Sequence, residues 1–155
     1  MPLASREREA ATTMKCLRNY PADKLEMVPA EKSRKAKDLL ALFAAEEPIM
    51  TQIAAGSVDW STVKYPAVTS GEKATKLYEA AFRAAQESLR ATSEADLNLE
   101  ADFAPGFRLR WLDALWMMLM DQVHHRGQFT VYLRLAGVKV PQIYDPSADE
   151  PMPSA

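Results

Sequence analysis

The two histidines of the chain stand side by side as His124 and His125 in "LMDQVHHRGQF", residues 119–129, with Asp121 four residues before the second. At 100° per residue on a helix, Asp121 and His125 lie about 40° apart on one face, whereas the adjacent histidines diverge by about 100°. Asp121 and His125 can therefore converge on one metal ion, and the neighbouring histidines cannot easily do so. A carboxylate and an imidazole at i, i+4 suit zinc, nickel, iron or manganese, but a firm site needs a further donor from another helix. The same pair could instead form a partly buried hydrogen bond that holds the imidazole. It could also serve as an acid/base pair, although no nucleophile motif accompanies it. Met117, Gln128 and Tyr132 project toward the same face, giving a pocket wall that mixes apolar and hydrogen-bonding groups. His124 reads as a structural or supporting residue rather than a ligand.

A long helix must carry these residues, and prolines at 21, 29, 66, 105 and 141 divide the chain into segments of helical length. Four helices follow. The first covers residues 4–19, with Ala11, Met14 and Leu17 at helical spacing. The second runs from Ser33 to Ala55 on a stripe of Ala36, Leu39, Leu40, Phe43, Ile49 and Ile53. Pro48 predicts a kink in it, or a break near Glu47. "TSGE" opens the third with Thr69 three residues before Glu72, the spacing of a capping box, and Leu77, Tyr78, Ala81, Phe82, Ala85 and Leu89 form its apolar face. The fourth is expected from Phe107 to Leu135, stopped by Gly137. Whether residues 93–106 hold a short extended piece is open at this level. From Leu109 to Met120 the fourth helix is apolar almost all round, more than one core can cover, which suggests a homodimer contact.

Composition bounds the function. The 155 residues are expected to make one domain, with 138–155 an extended tail over the surface whose last few residues are mobile. A net charge of −2 supplies no general excess of positive charge for a nucleic-acid backbone. The one basic run, Lys32, Arg34, Lys35 and Lys37, reads as a solvated helix face, with an anion or phosphate patch as the alternative. Cys16 is the single cysteine, so no internal disulfide or CxxC site exists, and a reducing cytoplasm fits. The longest apolar run, "ALWMMLM" at 114–120, is too short to span a bilayer.

"HHRGQ" at 124–128, "YLRLAGVKVP" at 132–141 and "IYDPSADE" at 143–150 resemble the closing segment of the DinB-like family of four-helix proteins. The helix layout, the kinked second helix and the two proline-bearing loops agree with it across nearly the whole chain. The resemblance implies an all-α, up-down-down-up four-helix bundle, commonly dimeric. It also implies a divalent metal held by three histidines, one on the second helix and two in an H-x-x-x-H segment of the fourth; some relatives are thiol-dependent transferases or isomerases. Carried over by position, the second histidine of that segment is His125, the first falls on Asp121, and the second-helix position falls on Leu42. Only two histidines exist, so a three-histidine site within one chain is excluded.

Two outcomes remain open. A changed site would use Asp121 and His125 with Glu46, one turn beyond Leu42, to hold zinc, nickel or manganese. Alternatively the protein is metal-free, and Leu42, Met117, Gln128 and Tyr132 line a remnant pocket. The corresponding functions are a divergent metal-dependent transferase or hydrolase of unknown substrate, or a non-catalytic dimeric small-molecule-binding or stress-response protein. No catalytic residue is assigned.

Overall fold

The structure is a computed structural model describing residues 3–152. Its long helices are α1 (Leu3–Arg18), α2 (Ala36–Ala54), α3 (Gly71–Ala91) and, after a short α4 (Glu94–Leu97) and a β-hairpin, α5 (Trp111–Leu135). The directions follow from which ends meet. Arg6 near the start of α1 reaches Glu47 and Met50 on the later half of α2, and Thr92 after α3 donates to Ala54 O at the end of α2. Tyr132 near the end of α5 donates to Arg34 O, just before α2 begins. The result is an up-down-down-up bundle. Because α2 and α3 run parallel, residues 55–70 must return the chain along the bundle, with one 3-10 turn at Trp60–Thr62.

The face that α1 buries differs from the expected stripe. Arg6, Ala10, Thr13, Cys16 and Leu17 are buried, whereas Ala11 is exposed and Met14 half-buried. The spacing Arg6, Ala10, Thr13, Leu17 is helical, but its charged first member disguises it. Arg6 is tolerated inside because its guanidinium forms an ion pair with Glu47, donates to Gln86 Oε1 at 2.8 Å and lies over the Phe82 ring at 4.3 Å. The second Glu47 oxygen accepts from Gln122 Nε2 at 3.0 Å, and Gln122 Oε1 accepts from Tyr78 Oη at 3.2 Å. This network joins all four long helices. Below it, Phe43 sits between Tyr78 and Phe129, with ring centroids 6.2 and 6.4 Å away.

Four boundaries depart from the sequence reading. First, α2 begins at Ala36, after turns in which Ala36 N and Lys37 N donate back to Met27 O and Leu25 O. The basic run therefore lies mostly in this loop and is not a helix face. Second, α2 continues unbroken through Pro48, which excludes the break near Glu47 that was the alternative to a kink; burial of Ile49, Met50 and Ile53 outweighs the roughly 3 kcal/mol that an interior proline costs. Third, the cap of α3 is Ser70, whose hydroxyl accepts from Lys73 N at 3.0 Å, not Thr69. Fourth, residues 107–110 belong to a hairpin, so α5 opens at Trp111. Strands β1 (Glu100–Ala104) and β2 (Phe107–Arg110) pair antiparallel around Gly106, whose φ of +73° favours glycine at the turn.

The C-terminal segment, without helix or strand among its described residues, is tied to the bundle by side-chain bonds. Asp149 accepts from Val140 N at 2.9 Å and pairs with Arg134, while Glu150 accepts from Gln142 N at 2.7 Å. Tyr144 joins the buried Arg126 and Glu9 in a second clamp. The expectation of mobile final residues falls largely on 153–155, outside the described residues. On α5, Trp111, Leu115, Met118 and Leu119 are buried and Trp116, Met117 and Met120 are exposed. No helix among the described residues is long and apolar enough to cross a membrane.

Three outcomes test this packing. Arg6→Met leaves Glu47 as an unpaired buried charge and is expected to cost about 3–5 kcal/mol in urea unfolding, part of which a second change, Glu47→Met, restores. A Cβ on Gly71 would stand 2.2 Å from Leu17 O, so Gly71→Ala should cost about 1–3 kcal/mol by forcing α1 and α3 apart. Burial pushes the Cys16 thiol up to about 11, against weaker pulls from Arg126 and Lys15. Native protein at pH 8 should therefore resist thiol reagents that label the unfolded chain fully.

Candidate metal centre

α2 carries two adjacent buried glutamates, Glu46 and Glu47, about 100° apart round the helix. Glu47 points to Arg6 and Gln122, which partner both of its oxygens, although burial still pushes its carboxyl up against the pull of Arg6 and Gln122. Glu46 points to the other side, toward α5, where Asp121 and His125 sit one turn apart. His125 Nε2 is 3.4 Å from Asp121 Oδ2 and 4.0 Å from Glu46 Oε1. One ligand atom from each of the three residues lies within 4.8 Å of the others, so the group could hold a metal ion.

The orientation of His125 is set from behind. Its Nδ1 is 2.9 Å from Gln128 Oε1, which turns Nε2 toward the two carboxylates. Glu46 is only 4% exposed, and its Oε2 is buried with no hydrogen-bond partner. Desolvation, then the charge and contact of Asp121 and the charge of Glu47, push its carboxyl up to about 9; Arg34 pulls weakly the other way. Without a cation, Glu46 is protonated at neutral pH. Asp121 is half-exposed and opens the group to solvent.

Two hollows meet this group. One, of about 500 Å³, is bounded by His125, Gln128, Val131 and Tyr132 of α5 and by Pro29, Lys32, Ser33 and Arg34 of the loop before α2. The other, of about 450 Å³, takes Asp121, His124, Met117 and Met120 from α5 with Trp60 and Phe103 opposite. The expected pocket residues thus divide. Gln128 and Tyr132 line the first hollow, Met117 the second, and Leu42 neither, because it packs into the core beside Phe43. The Tyr132 hydroxyl is already engaged, donating to Arg34 O at 2.8 Å. His124 is exposed, with its ring 5.2 Å from that of His125. Sequence reasoning reads the run that holds Lys32 and Arg34 as a solvated helix face, with an anion or phosphate patch as the alternative, and does not connect it to Asp121 and His125.

Known proteins share the sequence pattern and the fold of this chain. The sequence model of the DinB family matches residues 2–153. An uncharacterized protein, YrdA of Bacillus subtilis (strain 168), is 33% identical over 91 residues, 56% of this chain and 52% of that protein. The match therefore spans about half the length of that relative. A crystal structure of a DinB-like protein from Bacillus cereus ATCC 10987 superposes with a TM-score of 0.79 at 26% identity, covering 92% of this chain and 95% of the other. The DinB-like protein YjoA of Bacillus subtilis, at 20% identity, shares the fold with a TM-score of 0.75 and the same coverage of 92% and 95%. With the family pattern spanning residues 2–153, the chain belongs to the DinB family.

Proposed function

We propose that this protein is a divergent metal-dependent transferase or hydrolase whose divalent cation is held by Glu46, Asp121 and His125. The observation that carries this reading is the buried Glu46 carboxyl, whose Oε2 has no partner and whose Oε1 stands 4.0 Å from His125 Nε2, so that one ligand atom from each of Glu46, Asp121 and His125 lies within 4.8 Å of the others. An uncompensated carboxylate in such a place is costly, and a cation or a proton relieves it. The donor set fits: one imidazole nitrogen and two carboxylates on facing helices, with open positions for water or substrate. Zinc, nickel and manganese are the candidates. A cation bound there would supply Lewis acidity to a coordinated water, thiol or carbonyl. The chain's own part is to hold Glu46 dry, to orient His125 through Gln128, and to leave Asp121 on the open side.

A second reading is a metal-free, non-catalytic protein in which protonated Glu46 donates to Asp121. It is favoured by the raised Glu46 carboxyl and by Trp116, Met117 and Met120, exposed along one stretch of α5, where a second copy could dock as a homodimer. Leucine at position 42 supports the same view, since it removes a family ligand.

Metal content by mass spectrometry on tag-free protein, after dialysis against each cation, decides between them. The first reading expects about one ion per chain, lost in Glu46→Gln, Asp121→Ala and His125→Ala, with uptake weakening as pH falls because Glu46 must release its proton. Absence of metal after all three dialyses would sink it and select the second.

A further inference from the structure

The four basic residues before and at the start of α2 are divided by the fold. Lys35 and Lys37 both turn to Glu26, Lys35 at 2.9 Å, and share its single negative charge. Lys32 and Arg34 face the hollow of about 500 Å³ that His125 and Gln128 border. Among the described residues, neither of these two forms an ion pair with a carboxylate. The chain as a whole carries a net charge of −2, so this is a local concentration of positive charge on an otherwise acidic protein.

The loop is also pre-formed. Ser33 N donates to Ala30 O at 2.8 Å, Ala36 N to Met27 O at 2.9 Å, and the Tyr132 hydroxyl to Arg34 O at 2.8 Å. Two cations held on a fixed loop, with a hydrogen-bonding floor and an apolar wall from Val131 and Tyr132, suit a small ligand with one anionic end. His125 borders the same hollow as Arg34, so an anion bound by Arg34 would leave the rest of the ligand beside His125.

We infer that this hollow holds the carboxylate or phosphate end of a small-molecule substrate through Lys32 and Arg34, with the reacting end toward His125. The inference rests on the reading of Glu46, Asp121 and His125 as the reactive centre.

It is tested by NMR titration of nitrogen-15-labelled, metal-free protein with inorganic phosphate and, separately, with succinate. The expected result is a saturable shift confined to the amides of residues 30–34 and to His125 and Gln128, with at least one probe. Binding should weaken by about tenfold or more in the double variant Lys32→Ala/Arg34→Ala, which still takes up metal. Response to phosphate alone assigns a phosphate-bearing ligand, and response to succinate alone a carboxylate; response to both supports the shared anion chemistry. No saturable shift, or equal affinity in the double variant, overturns the inference. Metal uptake on the same samples separates the two readings. Metal without anion binding overturns this inference alone, whereas anion binding without metal overturns the metal reading and leaves the anion site standing.

Discussion

The bundle is organised around one buried charge, the Glu47 carboxylate. An ionised carboxylate inside a protein costs several kcal/mol unless its oxygens are matched, and here both are: Arg6 takes one and Gln122 the other. Arg6 passes its remaining donors to Gln86 and Met50, and Tyr78 closes the set through Gln122. One layer of side chains thereby couples α1, α2, α3 and α5. Sliding any of them by a helical turn, about 5.4 Å, would leave a charge or an amide unpaired in an apolar interior. Apolar packing alone tolerates many registers; this network tolerates one.

The candidate site follows from the same helix. Glu46 is the next residue round α2 and just as buried, yet it faces a histidine and an aspartate instead of an arginine. Two neighbouring glutamates, alike in burial, therefore differ in compensation. The difference lies wholly in what the opposite helix offers, and it leaves Glu46 needing a proton or a cation.

The rotation of α5 that brings Asp121 and His125 to Glu46 is fixed by their inner neighbours. Gln122 is locked to Glu47, and Arg126 is locked to Glu9 and Tyr144, the latter from the C-terminal loop. These two stand at i, i+4 on the buried side, each one residue after a member of the site pair. The C-terminal loop thus helps to set the site although it contributes no residue to it, and Tyr132 performs a similar office for the loop that carries Arg34.

Sequence alone determined the class of fold, the four long helices and the pairing of Asp121 with His125, because these depend on local periodicity and on spacing along one helix. It also determined that three histidines could not form the site, and it offered Glu46 as a candidate third donor, one turn beyond the Leu42 position that the family resemblance supplied. Helix limits at Ala36, Ser70 and Trp111 escaped it, since backbone bonds to Met27 and Leu25, a hydroxyl one residue from the expected cap, and a strand partner decided them. The burial of Arg6 and Arg126 escaped it for a related reason: a charged residue reads as exposed until its partner on another helix is known. Tertiary structure alone decided that Glu47 is compensated and Glu46 is not, that Leu42 belongs to the core, and that two of four adjacent basic residues face the hollow. Each of those outcomes depends on what stands across from a side chain, and residues far apart in the sequence meet only when the helices pack.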